Sequence, residues 1–361
     1  MRRSFAVRRS APACECRTGR VRKRALRLRP TSLLRSATWL SALAVFALAA
    51  CGGGGGSADP NAPLARVVVP NGSSFRAASE SLGTAGVVDN PGMFRLYAKF
   101  RGADRSLKPG TYEFRRGTEW KEVLEVLSEG RSIRASITIP EGWDLARIAP
   151  LVASQLEVPE DSVIAALRDT AYLQRLGIPT ETVEGYVFPA TYQFPLGTSG
   201  REAVETMLQE FERRWKPEWN ALMDSLAMSR HEVVTLASIV EKEARVGDER
   251  PTISAVYHNR LRIGMALQAD PTVQYARGSH TSRVLFRDLE IDSPYNTYRY
   301  PGLPPGPIAS PGSASIEAAL LPADVKYLYF VARPDGRHEF RQTFQEHAAV
   351  AREMRRLRDS G

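Results

Sequence analysis

One stretch constrains the fold more than any other, because residues 229–247 carry a complete helix signal. Ser229 is followed three residues later by Glu232, the capping-box pattern in which each side chain bonds the other residue's backbone at a helix N-terminus. At about 100° per residue, one side of the helix is apolar: Val233, Leu236, Ala237, Val240 and Ala244. The sequence therefore predicts an amphipathic helix from Ser229 to about Gly247.

Two glutamates near the end of this helix are expected in opposite surroundings. Glu241 lies four residues before Arg245, the favourable spacing for a helix ion pair, so we interpret it as a structural surface charge. The helical neighbours of Glu243 at three and four residues cannot pair with its charge: Ile239, Val240, Val246 and Gly247. Apolar surroundings raise a carboxyl pKa, which would make Glu243 a proton donor near neutral pH. The alternative is a glutamate that reaches water or a distant arginine.

The basic charge of the chain belongs to a predicted targeting segment. Residues 1–50 contain twelve Arg or Lys and one acid, a net of +11, so 9 − 11 = −2 remains for residues 51–361. An arginine-rich start before the uncharged run 36–50 is typical of a secretory signal. Because the remaining chain is slightly acidic, no nucleic-acid partner is expected.

The end of this segment predicts attachment to a membrane. Leu48-Ala49-Ala50-Cys51 fits the bacterial lipobox, in which the cysteine is lipidated and becomes the first residue of the mature protein. Residues 51–65, with five glycines after Cys51, are then a flexible linker. A simple amino-terminal anchor without lipid is the alternative. Either way we expect an anchor near residues 36–56 in the cell membrane, with the folded part on the periplasmic or extracytoplasmic side.

The folded sequence is predicted to be α+β and to divide into residues 66–135 and 136–361. The first part mixes strand and helix patterns without a catalytic constellation, so it is expected to bind or position. In the second part the aromatic-rich segment 184–194 could line a sugar cleft or form a buried strand. A hairpin is predicted around the turn 334–336, followed by a final helix at residues 345–357.

Five motifs together resemble the MltG/YceG family of endolytic murein transglycosylases, bacterial enzymes that cut peptidoglycan glycan strands at the outer face of the cytoplasmic membrane. The motifs are at residues 236–245, 256–261, 267–275, 295–298 and 302–312. The resemblance covers roughly residues 66–355 and includes Lys108-Pro109-Gly110-Thr111-Tyr112 in the first part. It implies a small LysM-like module followed by a YceG-type catalytic domain with a lysozyme-like active-site helix.

By the family pattern the catalytic acid is Glu243, the residue that the helix wheel also favours. It would protonate the oxygen between N-acetylmuramic acid and N-acetylglucosamine and then take the proton of the sugar's C6 hydroxyl. The product would be a 1,6-anhydro end, and the reaction would terminate elongation of nascent strands. The resemblance implies glycan strands, the membrane and peptidoglycan synthases such as penicillin-binding proteins as partners, and no cofactor.

Seven polar side chains in these motifs are candidate substrate contacts: Asn259, Gln268, Asp270, Thr272, Tyr295, Asn296 and Thr297. For each, a loop-stabilising role is the alternative. The five histidines are scattered, so no metal site is expected. Two other functions remain open, a muramidase that uses water and a non-catalytic membrane-bound scaffold of peptidoglycan synthesis.

Overall fold

A computed structural model describes residues 61–278 and 284–359 and shows a mixed architecture of helices and small sheets. The predicted targeting segment, Cys51 and most of the predicted linker lie outside these residues. Within the described part, six strands form three separate antiparallel pairs. The strands are β1 Leu64–Val69, β2 Gly110–Arg115, β3 Arg134–Thr138, β4 Thr191–Pro195, β5 Tyr329–Ala332 and β6 His338–Arg341.

Helices make up most of the remaining regular structure. In chain order they are α1 Phe75–Thr84, α2 Pro91–Phe100, α3 Trp120–Glu129, α4 Leu145–Leu156, α5 Glu160–Leu167, α6 Thr170–Leu176, α7 Gly200–Arg214, α8 Glu218–Leu226, α9 Arg230–Glu243, α10 Arg250–Arg262, α11 Asp270–Arg277, α12 Ser313–Leu320 and α13 Phe344–Asp359. None of the helices in the described ranges has both the length and the apolar composition of a membrane span.

The first core lies between the β1–β2 pair and helices α1 to α3. Val67 pairs with Tyr112 across the two strands. Both point inward, where they join Leu82, Phe94 and Leu127, each at most 2% exposed. Buried and exposed residues alternate along β1, so one face of this two-stranded sheet packs on the helices. The elements β1, α1, α2 and β2 follow one another in the chain, and the antiparallel pairing of β1 with β2 joins the first to the last.

A second, larger core is built around α9. Helices α10, α11 and α12 contact it, and every residue from Val233 to Val240 is buried. The amphipathic expectation was therefore incomplete, because the polar side of the helix is buried as well. Ser238 donates to the carbonyl of Thr235 and accepts from the backbone N–H of Ile308, at 2.7 and 3.0 Å. Short polar side chains in α9 thus hold the 302–312 loop against the helix.

The capping box at the start of α9 is present as predicted, but the helix ends earlier than Gly247. Ser229 accepts from the backbone of Glu232, and the Glu232 carboxylate accepts from the backbone of Ser229. At the other end Ala244 has extended backbone angles, so Glu243 is the last helical residue. The chain then turns through the 3₁₀ segment Gly247–Glu249 into α10. This turn brings the end of α9 and the side of α10 together.

The aromatic segment at 184–194 is largely interior. Tyr186 and Phe188 are buried and contact Phe211 of α7, with ring centroids 4.9 and 6.5 Å away. Only its end, from Thr191, forms strand β4, which pairs with β3. Tyr186 and Phe188 are core residues that precede the strand, whereas Tyr192 and Phe194 are the buried residues of β4, as the buried-strand interpretation predicts.

Candidate active site

A cleft of about 520 Å³ opens beside the last residue of α9. Its lining comes from α9, α10 and the start of α11, together with the β5–β6 hairpin and α13. The polar side chains from α9, α10, α11 and the nearby loops that line it are Glu243, Tyr257, Arg260, Gln268, Asp270 and Tyr298. The hairpin and α13 add Tyr329, Phe330, Phe344 and two histidines, His338 and His347. A cleft that combines polar groups with aromatic rings suits a sugar chain.

Glu243 lies at the base of this cleft with its carboxyl largely removed from water. The pKa of Glu243 is raised to about 7, chiefly by burial; the hydrogen bond from Tyr257 lowers it, the negative charge of Asp270 raises it, and the charges of Arg260 and Arg245 lower it. That bond runs from the Tyr257 hydroxyl to Oε1 of Glu243 over 3.0 Å. A carboxyl with this pKa holds its proton in a substantial fraction of molecules at neutral pH. It is therefore suited to general acid chemistry.

Tyr257 is fixed from two sides. Its ring is buried and lies edge-on to Phe330, with centroids 5.9 Å apart. Burial and the charge of Glu243 raise the pKa of Tyr257 well above its ordinary value, so the hydroxyl remains a donor. One turn later on α10, the buried Arg260 donates to the carbonyls of Leu328 and Leu267, which joins the helix to the hairpin and to the α11 loop.

Asp270 is a second carboxylate in the same cleft. It is the first residue of α11, and Oδ1 accepts from the Tyr298 hydroxyl at 2.6 Å. Gln268, two residues earlier, is exposed in the cleft and has a left-handed backbone with φ of 50°. Backbone strain of this kind costs on the order of 1 kcal/mol and persists only where the surroundings impose it. Gln268 and Asp270 are thus the two predicted contacts that line the cleft with Glu243.

Three other predicted contacts have buried side chains that hold loops. Thr272 and Thr297 share a hydroxyl–hydroxyl hydrogen bond of 2.8 Å, and Thr297 accepts from the backbone of Ala269. Asn296 donates to the carbonyls of Leu289 and Ile291. All three side chains therefore make hydrogen bonds within the fold, which is what the loop-stabilising alternative predicts. Together they fix the backbone from which Gln268 and Asp270 project.

The last two predicted contacts, Asn259 and Tyr295, lie away from the groups that line this cleft. Asn259 donates to the carbonyls of Val325 and Tyr327 at 2.8 and 2.9 Å, which fixes the approach to β5. Tyr295 packs on Tyr275 with ring centroids 4.9 Å apart. Neither residue contributes to the wall around Glu243.

Glu241 corrects the sequence interpretation, because it is not a surface charge paired with Arg245. Its side chain is only 6% exposed, and Oε1 lies 3.3 Å from the Arg250 guanidinium. Oε2 accepts from the backbone N–H of Gly312 at 3.0 Å. The physical reason is the helix end at Glu243, since the chain turns back there and α10 presents Arg250 to Glu241. Glu241 is a buried structural carboxylate that ties α9 to the 302–312 loop.

Several residues of the cleft were not predicted from the sequence. Tyr257 and Arg260 lie three residues apart on one face of α10, which was a detectable signal in the motif 256–261. Tyr298 lies in the motif 295–298 but is not among the predicted contacts. The aromatic wall from β5 and α13 had no local signal, because its side chains reach Glu243 only through the fold. Within the described ranges, no cluster of His, Cys, Asp and Glu is arranged to hold a metal ion.

Comparison with known proteins identifies the family. The model of the YceG-like family matches residues 67–353. The chain belongs to the YceG-like family. An endolytic murein transglycosylase from Bacillus subtilis strain 168 is 37% identical over 295 residues, covering 77% of this chain and 81% of the relative. Another, from Streptococcus pneumoniae serotype 2 strain D39, is 30% identical and covers 74% of this chain. The chain spans about half of that relative's length, 54%.

A solved structure of this YceG-like family is also similar. The 2.6 Å crystal structure of a yceG-like protein from Listeria monocytogenes matches with a TM-score of 0.57 and 33% sequence identity. The match covers 80% of this chain and 98% of the Listeria chain.

Proposed function

We propose that this protein is an endolytic murein transglycosylase, a lyase that cuts the bond between N-acetylmuramic acid and N-acetylglucosamine in peptidoglycan strands. The single observation that carries this proposal is the place of Glu243, a carboxyl whose pKa burial raises, in the lining of a cleft with aromatic walls. The relatives named endolytic murein transglycosylases supply the substrate and the reaction class.

The reaction needs one acid that changes role. Glu243 first donates its proton to the glycosidic oxygen, which leaves with N-acetylglucosamine as the C1–O bond breaks. The carboxylate that remains accepts the proton of the C6 hydroxyl of the same N-acetylmuramic acid, and that oxygen bonds to C1. The product is a 1,6-anhydro end, and no water is consumed. Intramolecular attack of this kind gains from proximity, so a second catalytic carboxylate is not required.

Glu241 is no longer a candidate for a second catalytic group, since it is bound to Arg250 and Gly312. Asp270 takes its place as the alternative to test, because it is the second carboxylate among the residues that line the cleft. A muramidase would use such a group to activate water. In the proposed reaction Asp270 activates no water; the hydrogen bond from the Tyr298 hydroxyl holds its carboxylate in place beside Glu243.

The proposal extends to the rest of the chain. The strand–helix–helix–strand order of residues 64–115 supports a LysM-like module that binds or positions glycan. The signal-like segment and Cys51 support attachment to the membrane near residues 36–56, with the cleft on the periplasmic or extracytoplasmic side. Cleavage there would end elongation of nascent strands beside peptidoglycan synthases, which we propose as partners.

The test compares Glu243→Gln with Asp270→Asn on purified glycan strands, with products identified by mass. Both changes are isosteric and both lie in the cleft. We expect Glu243→Gln to abolish cleavage, because the amide has no proton to donate, and Asp270→Asn to retain anhydro-ended products. If the wild-type products are one water heavier than anhydro-ended products, and if Asp270→Asn no longer forms them, the protein is a muramidase. Cleavage that survives Glu243→Gln would overturn the role proposed for Glu243, whereas a wild-type protein that cuts nothing would support the scaffold alternative.

A further inference from the structure

Helix α2 (Pro91–Phe100) presents an unusual outward face. Met93, Leu96 and Phe100 recur at three and four residues and therefore share one side of the helix. Their exposed fractions are 53%, 61% and 89%. The opposite side is conventional, with Phe94 and Ala98 fully buried in the first core. Single exposed apolar residues are common, but three on one helical stripe mark an interaction surface.

Basic residues follow this stripe closely. Residues 91–108 contain five Arg or Lys and one acid, Asp104, whereas residues 51–361 as a whole carry a net charge of −2. Two of the five cations have other roles within the fold. Arg95 lies 3.7 Å from Glu80, and Lys108 donates to the carbonyl of Glu129. The three that remain are exposed and lie at the end of α2 or just beyond it: Lys99, Arg101 and Arg105.

Of these three, Arg101 contacts an aromatic ring of α2. Its guanidinium lies 5.9 Å from the centroid of the Tyr97 ring. No carboxylate lies within ion-pair distance of Lys99, Arg101 or Arg105 among the residues whose placement is described. An apolar stripe beside unpaired cations is the composition of a helix that lies in the plane of a membrane interface. The cations contact anionic headgroups while the apolar side chains enter the acyl boundary.

The position of the module in the chain favours a membrane over another occupant. Strand β1 begins 14 residues after Ala50, the end of the predicted apolar run. An extended chain spans at most about 3.6 Å per residue, so the module cannot lie more than roughly 50 Å from that run. A second copy or a protein partner could also cover apolar side chains. The local excess of cations on a slightly acidic chain is complementary to anionic lipid.

We propose that the outward face of α2 docks on the surface of an anionic phospholipid membrane. Met93, Leu96 and Phe100 enter the interface, and Lys99, Arg101 and Arg105 contact the phosphate groups. The first module would then bind the membrane directly instead of only being tethered to it. This inference is independent of the chemistry at Glu243, so each can fail without the other.

The decisive test is photo-crosslinking of the full chain with p-benzoylphenylalanine in place of Phe100, with Phe286 replaced in the matched control. The two phenylalanines are exposed to the same degree, 89% and 88%, but Phe286 lies beside the catalytic cleft. The protein is irradiated with vesicles of phosphatidylcholine that contain or lack phosphatidylglycerol, and adducts are identified by mass. We expect phospholipid adducts at position 100 that increase with phosphatidylglycerol, and few at position 286.

Charge variants supply a second measurement. Each of Lys99→Gln, Arg101→Gln and Arg105→Gln should reduce the adduct yield at position 100 about fivefold at low salt, the effect of roughly 1 kcal/mol per cation near an anionic surface. The control is Arg213→Gln on α7, which removes an exposed cation that is paired with Glu210 and lies outside the first module. Equal lipid adducts at positions 100 and 286, no lipid adduct at position 100, or a cross-link between two copies would overturn the proposal.

Discussion

Replacing Tyr257 by Phe tests the chemistry of Glu243 with one atom. The change removes the hydroxyl that donates to Glu243 Oε1 over 3.0 Å and leaves the buried ring in place against Phe330. Because that bond stabilises the carboxylate more than the acid, its loss should raise the pKa of Glu243 above its value of about 7. A hydrogen bond to a charged group contributes roughly 1.5–3 kcal/mol. At about 1.4 kcal/mol per pKa unit, the shift should be about one to two units.

The measurement is the pH dependence of kcat/KM for glycan-strand cleavage, which reports ionisations of the free enzyme. In the proposed mechanism Glu243 must be protonated to act as the acid, so wild-type activity should fall as pH rises through about 7. In Tyr257→Phe this alkaline limb should move upward by the same one to two units. Thermal unfolding of both proteins shows whether the fold has changed.

Tyr298→Phe is the matched control, since it removes a hydroxyl in the same cleft that donates to Asp270 instead. It should move the limb much less than Tyr257→Phe does. The reasoning is refuted if the alkaline limb of Tyr257→Phe stays at the wild-type position, or if Tyr298→Phe shifts it more. Either result would mean that the Tyr257 bond does not set the ionisation of the catalytic group.

Three further changes have expected outcomes. Burial raises the pKa of Glu184 from 4.5 to about 8. Between pH 4.5 and about pH 8 the folded state therefore holds a proton that the unfolded state has released, so the free energy of unfolding falls as pH rises through this range. Glu184→Gln should reduce this pH dependence of the free energy of unfolding by about 1.4 kcal/mol per pH unit, measured by urea unfolding. An unchanged pH dependence would count against the raised pKa of Glu184. Arg250→Met leaves Glu241 buried without its cation and should cost about 3–5 kcal/mol in the same assay. Asp270→Asn removes the charge that raises the pKa of Glu243, so the alkaline limb should move down, and an upward shift would contradict this.

Local sequence rules predicted the elements whose causes are local. The capping box at Ser229 and the hairpin turn before β6 follow from residues three or four positions apart, and the structure has both. The same rules placed Glu243 in apolar surroundings, and two of the four predicted neighbours, Ile239 and Val240, are in the helix and buried. Val246 and Gly247 lie beyond the helix end; the Tyr257 hydroxyl bonds the carboxyl, and Phe330 lines the same cleft. Those two residues are 14 and 87 positions away, a separation that no helix wheel includes.

The error at Glu241 has the same origin. An arginine four residues later is a sound expectation for a helix that continues, but α9 stops at Glu243, so Arg245 is no longer one turn away. Arg250 replaces it because the 3₁₀ turn reverses the chain. Among the predicted contacts, Gln268 and Asp270 line the cleft, whereas Thr272, Asn296 and Thr297 hold their loops. Sequence motifs do not separate these two groups, because both are polar residues in the same loops.

The ionisation of Glu243 is set by opposing influences that come from different parts of the chain. Burial and the charge of Asp270 favour the protonated acid, while the Tyr257 hydroxyl favours the carboxylate. The proposed mechanism needs this balance, since in it Glu243 first holds a proton for the leaving oxygen and then receives one from the C6 hydroxyl. A pKa far above neutrality would favour the first step and hinder the second. The position of α10 and α11 around the end of α9 therefore determines the chemistry as much as Glu243 itself does.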